Sequence, residues 1–182
     1  LLPSRRYVQI AGGYVQDFRG GSNQLLNYDQ TASFMTSDPT DSRNATLLHS
    51  ADLFHQNLDS QTVNASNIYN IVGCLTPTVS GFNIYGNGVV DVERDSGDGT
   101  VSVVSAMNSA NTYSNYFVLG NETGIDHTGL VTAGQTLSLI QNIIDGTVST
   151  VALPQGISTS TVDCFTPRSQ FQNETTIEFS TH

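Results

Sequence analysis

The chain has 182 residues, of which 37% are hydrophobic and 12% charged, enough to bury one core and to form one domain or one domain plus part of another. Six basic residues, all arginine, stand against sixteen acidic ones, so the formal net charge is -10 and nucleic-acid binding is not expected. No apolar run approaches the ~20 residues that span a bilayer, and the opening residues LLPSRRYVQI place their basic pair after a short apolar stretch, so neither a transmembrane segment nor a signal peptide is predicted.

Low charge, abundant Ser, Thr, Asn and Gly, and the absence of lysine are typical of a secreted protein. The two cysteines, Cys74 and Cys164, could close one long loop in an oxidising compartment, or they could be unpaired thiols, Cys74 being a small apolar residue in a buried strand. Four sequons are compatible with glycosylation, although a chain of this composition contains several by chance: Asn44, Asn64, Asn121 and Asn173.

The first half of the chain predicts one short strand and one helix. The run RYVQIAGGYV reads as a strand broken by Gly12 and Gly13. The run DSRNATLLHSADLFHQNLD predicts an amphipathic helix, capped at its start by Ser42 or Asn44, whose side-chain oxygens can accept the unpaired backbone N–H groups of the first turn. Its apolar positions recur at helical spacing and are expected to form one buried face: Leu47, Ala51, Phe54 and Leu58.

The second half alternates strands with turns and one helix. Residues 68–74 predict a buried strand ended by Pro77, and GFNIYGNGVVDVERD predicts a hairpin around the turn residues 86–88. NYFVLG predicts a strand ended by Gly120. TAGQTLSLIQNIIDG predicts a helix with Thr132 as its cap and Gly146 as its end, and with an apolar face of Leu137, Ile140 and Ile144. From Thr147 onward the chain is Ser/Thr-rich and alternating, which predicts a β-rich extension.

Helices that alternate with apolar strands favour a parallel sheet covered on both faces. In open sheets of this kind, functional groups collect beyond the carboxyl ends of the strands. Asp98 follows the hairpin in a Gly-rich turn, and His127 follows the strand NYFVL in a second turn. Both residues are therefore expected at the functional edge of the sheet.

An aspartate and a histidine in these places match the second and third members of a nucleophile–acid–base triad. The imidazole takes a proton from a hydroxyl and returns it to a leaving group. The carboxylate accepts the other ring N–H, which fixes the tautomer and stabilises the imidazolium. Asp98 is the predicted acid and His127 the predicted base.

The residues GDGTV followed by SA, with DHTGLV about thirty residues later, resemble the acid and base motifs of lipases and acyltransferases of the lecithin–cholesterol acyltransferase family. The segments LLPS, LFH and GCLTPT resemble stretches that precede the acid motif in such enzymes, so the resemblance extends over residues 1–146. It implies an α/β-hydrolase fold, with Asp98 as the triad acid, His127 as the base and Asp126 as a turn residue.

The chain departs from that family in having no serine with glycine at both flanking positions of a Gly-x-Ser-x-Gly elbow. Ser22 in RGGSNQL has Gly20 before it and Gln24 after it, and it does not follow a convincing strand. The oxyanion-hole loop is also absent. We therefore expect the nucleophilic serine in a preceding, N-terminal part of the same protein, and the 182 residues alone are predicted to be inactive.

Other candidate sites have weaker support. His49 and His55 lie six apart, which is not the i, i+4 spacing of a helical metal pair, so no metal site is predicted. The acidic run Asp91 to Asp98 departs from the EF-hand pattern and is more simply a solvated acidic turn, with an irregular calcium site as the alternative. Without lysine or a G-x-G-x-x-G loop, nucleotide and other cofactors are not predicted.

The sequence therefore predicts an α/β protein. Residues 1–146 are expected to be the C-terminal portion of an α/β-hydrolase domain with a cap-like N-terminal region, and residues 147–182 the truncated start of a β-rich extension or second module. The expected function is hydrolysis or transfer of acyl groups from lipid or other esters by a secreted enzyme. The alternative is a secreted, non-catalytic binding or scaffold domain that has hydrolase-like turns.

Overall fold

The computed structural model describes residues 3–36, 45–59, 68–107, 113–120, 124–165 and 176–177. These residues form a mixed α/β structure with two mixed sheets. The helices are α1 Arg5–Ala11, α2 Tyr28–Thr36, α3 Ala45–Asp59, α4 Val103–Ala106 and α5 Gly134–Ile144. The strands are β1 Val15–Asp17, β2 Gln24–Leu25, β3 Ile68–Cys74, β4 Thr76–Ile84, β5 Val90–Gly97, β6 Tyr113–Leu119, β7 Ile157–Ser158 and β8 Thr176–Ile177.

The chain divides into two compact units. The first unit comprises residues 1–65, 81–93 and 174–182, and the second comprises residues 66–80 and 94–173. The predicted boundary at residue 146 between domains of a longer protein stays a prediction. Within the described chain, residues 147–165 belong to the second unit, where β7 pairs with β6.

The N-terminal strand prediction is wrong for residues 5–11, which form helix α1. Ser4 caps this helix, because its Oγ accepts the Tyr7 N–H at 3.0 Å, and Gly12 ends it with a φ of 82°. Val8 is the buried residue of the helix, and it packs in a small core with Tyr28. The aromatic and β-branched residues Tyr7, Val8 and Ile10 suit a strand, whereas the cap residues on either side define the helix.

Helix α3 is confirmed, but its predicted burial is wrong. Leu47, Phe54 and Leu58 are 67%, 61% and 52% exposed, although they form the strip expected to face the core. A different side of the helix packs: Leu48 lies against the Val8 and Tyr28 core. The predicted caps Ser42 and Asn44 lie outside the described residues, as do the other three sequon asparagines and His182.

The second unit is built on the parallel pair β3 and β6, which are in register along their whole length from Ile68 opposite Tyr113 to Cys74 opposite Leu119. Strand β7 adds antiparallel to β6, so the sheet is mixed and not parallel throughout as predicted. The sheet containing the hairpin is also mixed, with β1 antiparallel to β2 and parallel to β4. Strand β7 is only two residues long, so it does not show in the alternation of helices and apolar strands from which a parallel sheet was predicted.

Strand β3 is confirmed at its predicted bounds, residues 68–74, but Pro77 is not what ends it. It ends at Cys74, and Leu75 makes a sharp corner with a φ of 67°, a positive value for a non-glycine residue. Pro77 lies within β4, in a portion outside the register that β1 forms with residues 82–84, so that pairing does not require its missing N–H. The predicted hairpin follows, with the Tyr85 N–H donating to the Val89 carbonyl at 3.0 Å across the turn.

Helix α5 is confirmed from Gly134 to Ile144, but its predicted face and cap are wrong. Leu137 and Ile144 are exposed, whereas Leu139 is fully buried against Tyr116 and Val118 of β6. The cap position is Ala133, without a side-chain hydrogen bond, rather than Thr132. The helix is thus rotated about its axis from the orientation that its apolar spacing predicted.

A disulfide joins Cys74 to Cys164, which resolves the alternative between a crosslink and two free thiols. Both cysteines are completely buried, and they pack in a core with Val72, Val103 and Phe117. The crosslink spans 90 residues of sequence and ties the end of β3 to the segment that follows β7. Within the described part of the chain, no helix combines the length and hydrophobicity needed to cross a membrane.

Candidate active site

Asp98 sits in a tight turn directly after β5 and is 5% exposed. Its Oδ1 accepts two backbone N–H groups of its own turn, from Thr100 at 2.9 Å and from Val101 at 2.7 Å. Gly99 adopts a φ of 92°, which a residue with a side chain rarely adopts and which reverses the chain here. The carboxylate is therefore held by backbone donors on one oxygen, while the other oxygen is left for another partner.

Gly73 of β3 gives Asp98 the space it occupies. A Cβ added at Gly73 would lie 2.6 Å from the Asp98 Cβ and 3.6 Å from its Cα. No real side-chain carbon approaches another this closely, so residue 73 must lack a side chain for the acid to sit where it does. A glycine inside an otherwise apolar strand is the sequence sign of such a close backbone approach.

His127 sits in the loop that connects β6 to α5. Two apolar neighbours, Ile125 and Leu130, pack against the core around Val118 and Leu139 and so anchor the loop on both sides of the histidine. Asp126 closes the loop locally, because its Oδ1 accepts the Gly129 N–H at 2.8 Å. The imidazole itself remains 47% exposed.

The contact predicted from the sequence is present: His127 Nδ1 lies 2.8 Å from Asp98 Oδ2. The two residues are 29 apart in sequence, and both belong to the second unit. This distance is that of a strong hydrogen bond between a ring N–H and a carboxylate. The turn after β5 and the loop after β6 therefore bring the predicted acid and the predicted base together.

The contact determines which tautomer the histidine adopts. An ionised carboxylate can only accept, so the proton of a neutral imidazole resides on Nδ1 and the lone pair on Nε2. Nε2 is then the atom able to take a proton from a hydroxyl, with the half-exposed ring open to a reactant. The negative charge of Asp98 favours the imidazolium that such a transfer forms.

No known protein-family model matches the chain, and neither does any curated protein. The geometry of the pair is therefore the main observation from which its chemistry is argued.

The remaining predicted residues lie away from this pair or have structural roles. Asp126 is a turn residue: the Gly129 N–H, and after it the Thr128 hydroxyl, hold the pKa of its carboxyl below the usual value. Ser22 lies in an exposed turn before β2. His49 is exposed on α3, and His55 is half-buried beside the ring of Phe54.

The acidic run is divided between a strand and the site. Asp91, Glu93 and Asp95 lie on β5, and Asp98 follows in its turn. Asp95 uses its Oδ1 to accept the Ser96 N–H at 2.7 Å. Within the described residues, no group of three or more histidine, cysteine, aspartate or glutamate side chains is placed to hold a metal ion.

Two supporting residues were not singled out from the sequence. Thr78 is 1% exposed, and its Oγ1 accepts the Gly99 N–H at 2.8 Å. Ser96 is also 1% exposed, and its Oγ accepts the N–H of Leu75, the residue with positive φ, at 2.8 Å. Both are hydroxyls that bond across about twenty residues of sequence, and no local pattern marks a partner at that distance.

Proposed function

We propose that this chain supplies the acid and the base of a Ser–Asp–His triad in a secreted lipase, esterase or acyltransferase. Asp98 would orient His127, and the serine would come from another segment of the same protein. The fold would be the C-terminal portion of an α/β-hydrolase domain of the lecithin–cholesterol acyltransferase family. The hydrogen bond of 2.8 Å between His127 Nδ1 and Asp98 Oδ2 is the observation that carries the proposal.

The asymmetry of the pair supports this assignment. The Asp98 side chain is 7% exposed and bonded through both oxygens, whereas the His127 side chain is 47% exposed. A structural ion pair has no need for one exposed partner whose second ring nitrogen bonds none of the described residues, but a proton-transfer pair does. The carboxylate is fixed, and the imidazole presents Nε2 to incoming groups.

The chemistry follows from those positions. The serine hydroxyl would attack the ester carbonyl while Nε2 of His127 takes its proton, and the imidazolium would be stabilised by Asp98 through Nδ1. His127 would then return the proton to the departing alcohol. Water, or an acceptor alcohol in the case of acyl transfer, would release the acyl group by the same steps in reverse.

The buried disulfide supports the proposed secretion. Disulfides persist in oxidising compartments and are rare in the cytosol. Both sulfurs are fully buried in the core of the second unit, so the crosslink is part of the fold. This fits a protein that acts outside the cell on neutral or zwitterionic esters, since the net charge of -10 disfavours anionic surfaces.

The test is ester hydrolysis by the protein that carries this chain. His127→Ala should lower kcat/KM for a short-chain nitrophenyl ester by at least ~10⁴-fold, as removal of a triad base does. His49→Ala is the matched control, because His49 is an exposed histidine on α3, and it should leave the rate unchanged.

Two results would contradict different parts of the proposal. A His127→Ala protein that keeps its rate would overturn the triad assignment and favour the binding or scaffold alternative. Robust turnover by the 182 residues alone, lost in His127→Ala, would instead preserve the pair and place the nucleophile within this chain.

A further inference from the structure

Three consecutive backbone N–H groups follow Asp98, and they do not all bond the same acceptor. Those of Thr100 and Val101 donate to Asp98 Oδ1. The Gly99 N–H, the nearest of the three in sequence, instead donates to Thr78 Oγ1 at 2.8 Å. As a result, His127 is the one partner of Asp98 Oδ2 among the described residues.

The neighbouring aspartate, Asp95, does bond the backbone N–H of the next residue. Asp95, three residues earlier, accepts the N–H of the residue that follows it, Ser96, at 2.7 Å. An aspartate in this chain can therefore bond the next amide along, and the Gly99 N–H would be able to do the same to Asp98 if Thr78 did not hold it. Such a bond would compete with the imidazole for the carboxylate.

Thr78 is built to hold that amide. Its hydroxyl proton is directed to the Thr76 carbonyl at 3.0 Å, which leaves an oxygen lone pair for the Gly99 N–H. On the other side of Asp98, a Cβ added at Gly97 would lie 2.7 Å from the Thr78 Cβ. The threonine is therefore enclosed between the two glycines that flank the acid, and it has little freedom to turn away.

We infer that Thr78 is a positioning residue for the acid: it draws the Gly99 N–H away from the carboxylate and so keeps Asp98 Oδ2 for His127. Its effect on catalysis rests on the proposed function, whereas its effect on the hydrogen bond between Asp98 and His127 does not. These two consequences can be measured separately.

The test compares Thr78→Val, which removes the acceptor at nearly constant volume, with Thr78→Ser, which keeps it. The matched control is Thr31→Val, because Thr31 is also fully buried and its hydroxyl donates to the Leu26 carbonyl, at 3.5 Å in the first unit. The readouts are the proton resonance of the His127 Nδ1–H in histidine-labelled protein, identified by its loss in His127→Ala, and kcat/KM for a nitrophenyl ester.

Thr78→Val should shift or broaden the Nδ1–H resonance and lower kcat/KM by about 10- to 100-fold, the usual cost of removing a partner that orients a functional group. Thr78→Ser should stay within about twofold of the wild-type rate, and Thr31→Val should change neither readout. If the His127→Ala control keeps full activity, the proposed function fails, while the resonance still tests the role of Thr78.

An unchanged resonance in Thr78→Val would overturn the inference, and so would an equal change in Thr31→Val. Should Thr78→Val fold poorly, Thr78→Ala removes the same acceptor without adding bulk and should give the same shift. If both variants are largely unfolded at 25 °C, Thr78 serves general stability and the positioning role is wrong.

Discussion

The turn that carries Asp98 and the loop that carries His127 are held in place by different means. The Asp98 turn bonds two of its own N–H groups, but it also depends on residues distant in sequence: Gly73 provides its space and Thr78 holds the Gly99 amide. The His127 loop closes on itself through Asp126 and Gly129, which are neighbours in sequence. The acid is buried as a result, and the base stands half exposed.

This difference matches the catalytic roles proposed for Asp98 and His127. An acid that only orients and stabilises gains from a rigid, buried backbone, because every hydrogen bond to it is then made before the reaction begins. A base that exchanges protons with reactants needs an accessible ring nitrogen. Changes to distant supports should therefore damage the Asp98 turn severely, and changes to local supports should affect the His127 loop mildly.

The largest expected effect comes from removing the disulfide, which lies next to the glycine that makes room for Asp98. Cys74 directly follows Gly73, and its disulfide closes a separation of 90 residues. The paired change Cys74→Ala and Cys164→Ala should lower the free energy of unfolding by about 4–5 kcal/mol, because the unfolded chain regains the entropy of that long loop. Urea denaturation measures this loss.

Wild-type protein unfolded under reducing conditions is the control for that prediction, and it should show the same lowered midpoint as the double variant. A loss below about 1 kcal/mol would mean that the crosslink adds little beyond the apolar core around Phe117, and that the Asp98 side depends less on distant contacts than the structure indicates.

The sequence predicted the elements that have strong local signals. Helix α3, helix α5 and the hairpin follow from residues close together in the chain. The contact between Asp98 and His127 was predicted from two local motifs that lie 29 residues apart. It did not predict helix α1, because Tyr7, Val8 and Ile10 suit a strand and the cap at Ser4 was not considered.

What remained unpredicted depends on tertiary contacts. Leu47 and Leu137 lie at core-like spacing and are exposed, since the partner surface and not the spacing decides which face of a helix is buried. The hydroxyl of Thr78 and the corner at Leu75 depend on groups about twenty residues away. For the same reason, the pair itself could be predicted from its motifs, but its supports could not.

Gly73→Ala tests the distant support of the acid directly. The added carbon would meet the Asp98 Cβ at 2.6 Å, so the turn must move by several tenths of an ångström. A displacement that approaches 1 Å at a reacting group costs about 100-fold in rate, and kcat/KM for the nitrophenyl ester should fall by that order.

Gly134→Ala is the matched control, since a Cβ added at the start of α5 meets no atom within 4 Å. It should leave kcat/KM and the His127 Nδ1–H resonance unchanged. If Gly73→Ala behaves like Gly134→Ala, the close approach of β3 to the acid is not what fixes the Asp98 turn.

The smallest effect is expected in the His127 loop, when the Asp126 carboxylate that closes the loop is protonated. The Gly129 N–H and then the Thr128 hydroxyl lower the pKa of Asp126 from its ordinary value of 3.8. The ordering that Asp126 gives the loop is therefore present above that ordinary value, which applies to the unfolded chain. That ordering is lost as the pH falls through the lower folded value. Relative to its intrinsic rate at each pH, hydrogen exchange of the Gly129 amide should therefore be slow at pH 5 and gain an added acceleration as the pH falls below about 4.

Asp126→Asn keeps an acceptor oxygen but cannot be protonated in this range, so its Gly129 amide should lack that added acceleration. The Leu137 amide of α5 provides the internal reference, because it donates to the uncharged Ala133 carbonyl at 3.0 Å and should show no such step. A matching step at both amides would mean that acid loosens the second unit as a whole, and the local hold of Asp126 on the His127 loop would then be wrong.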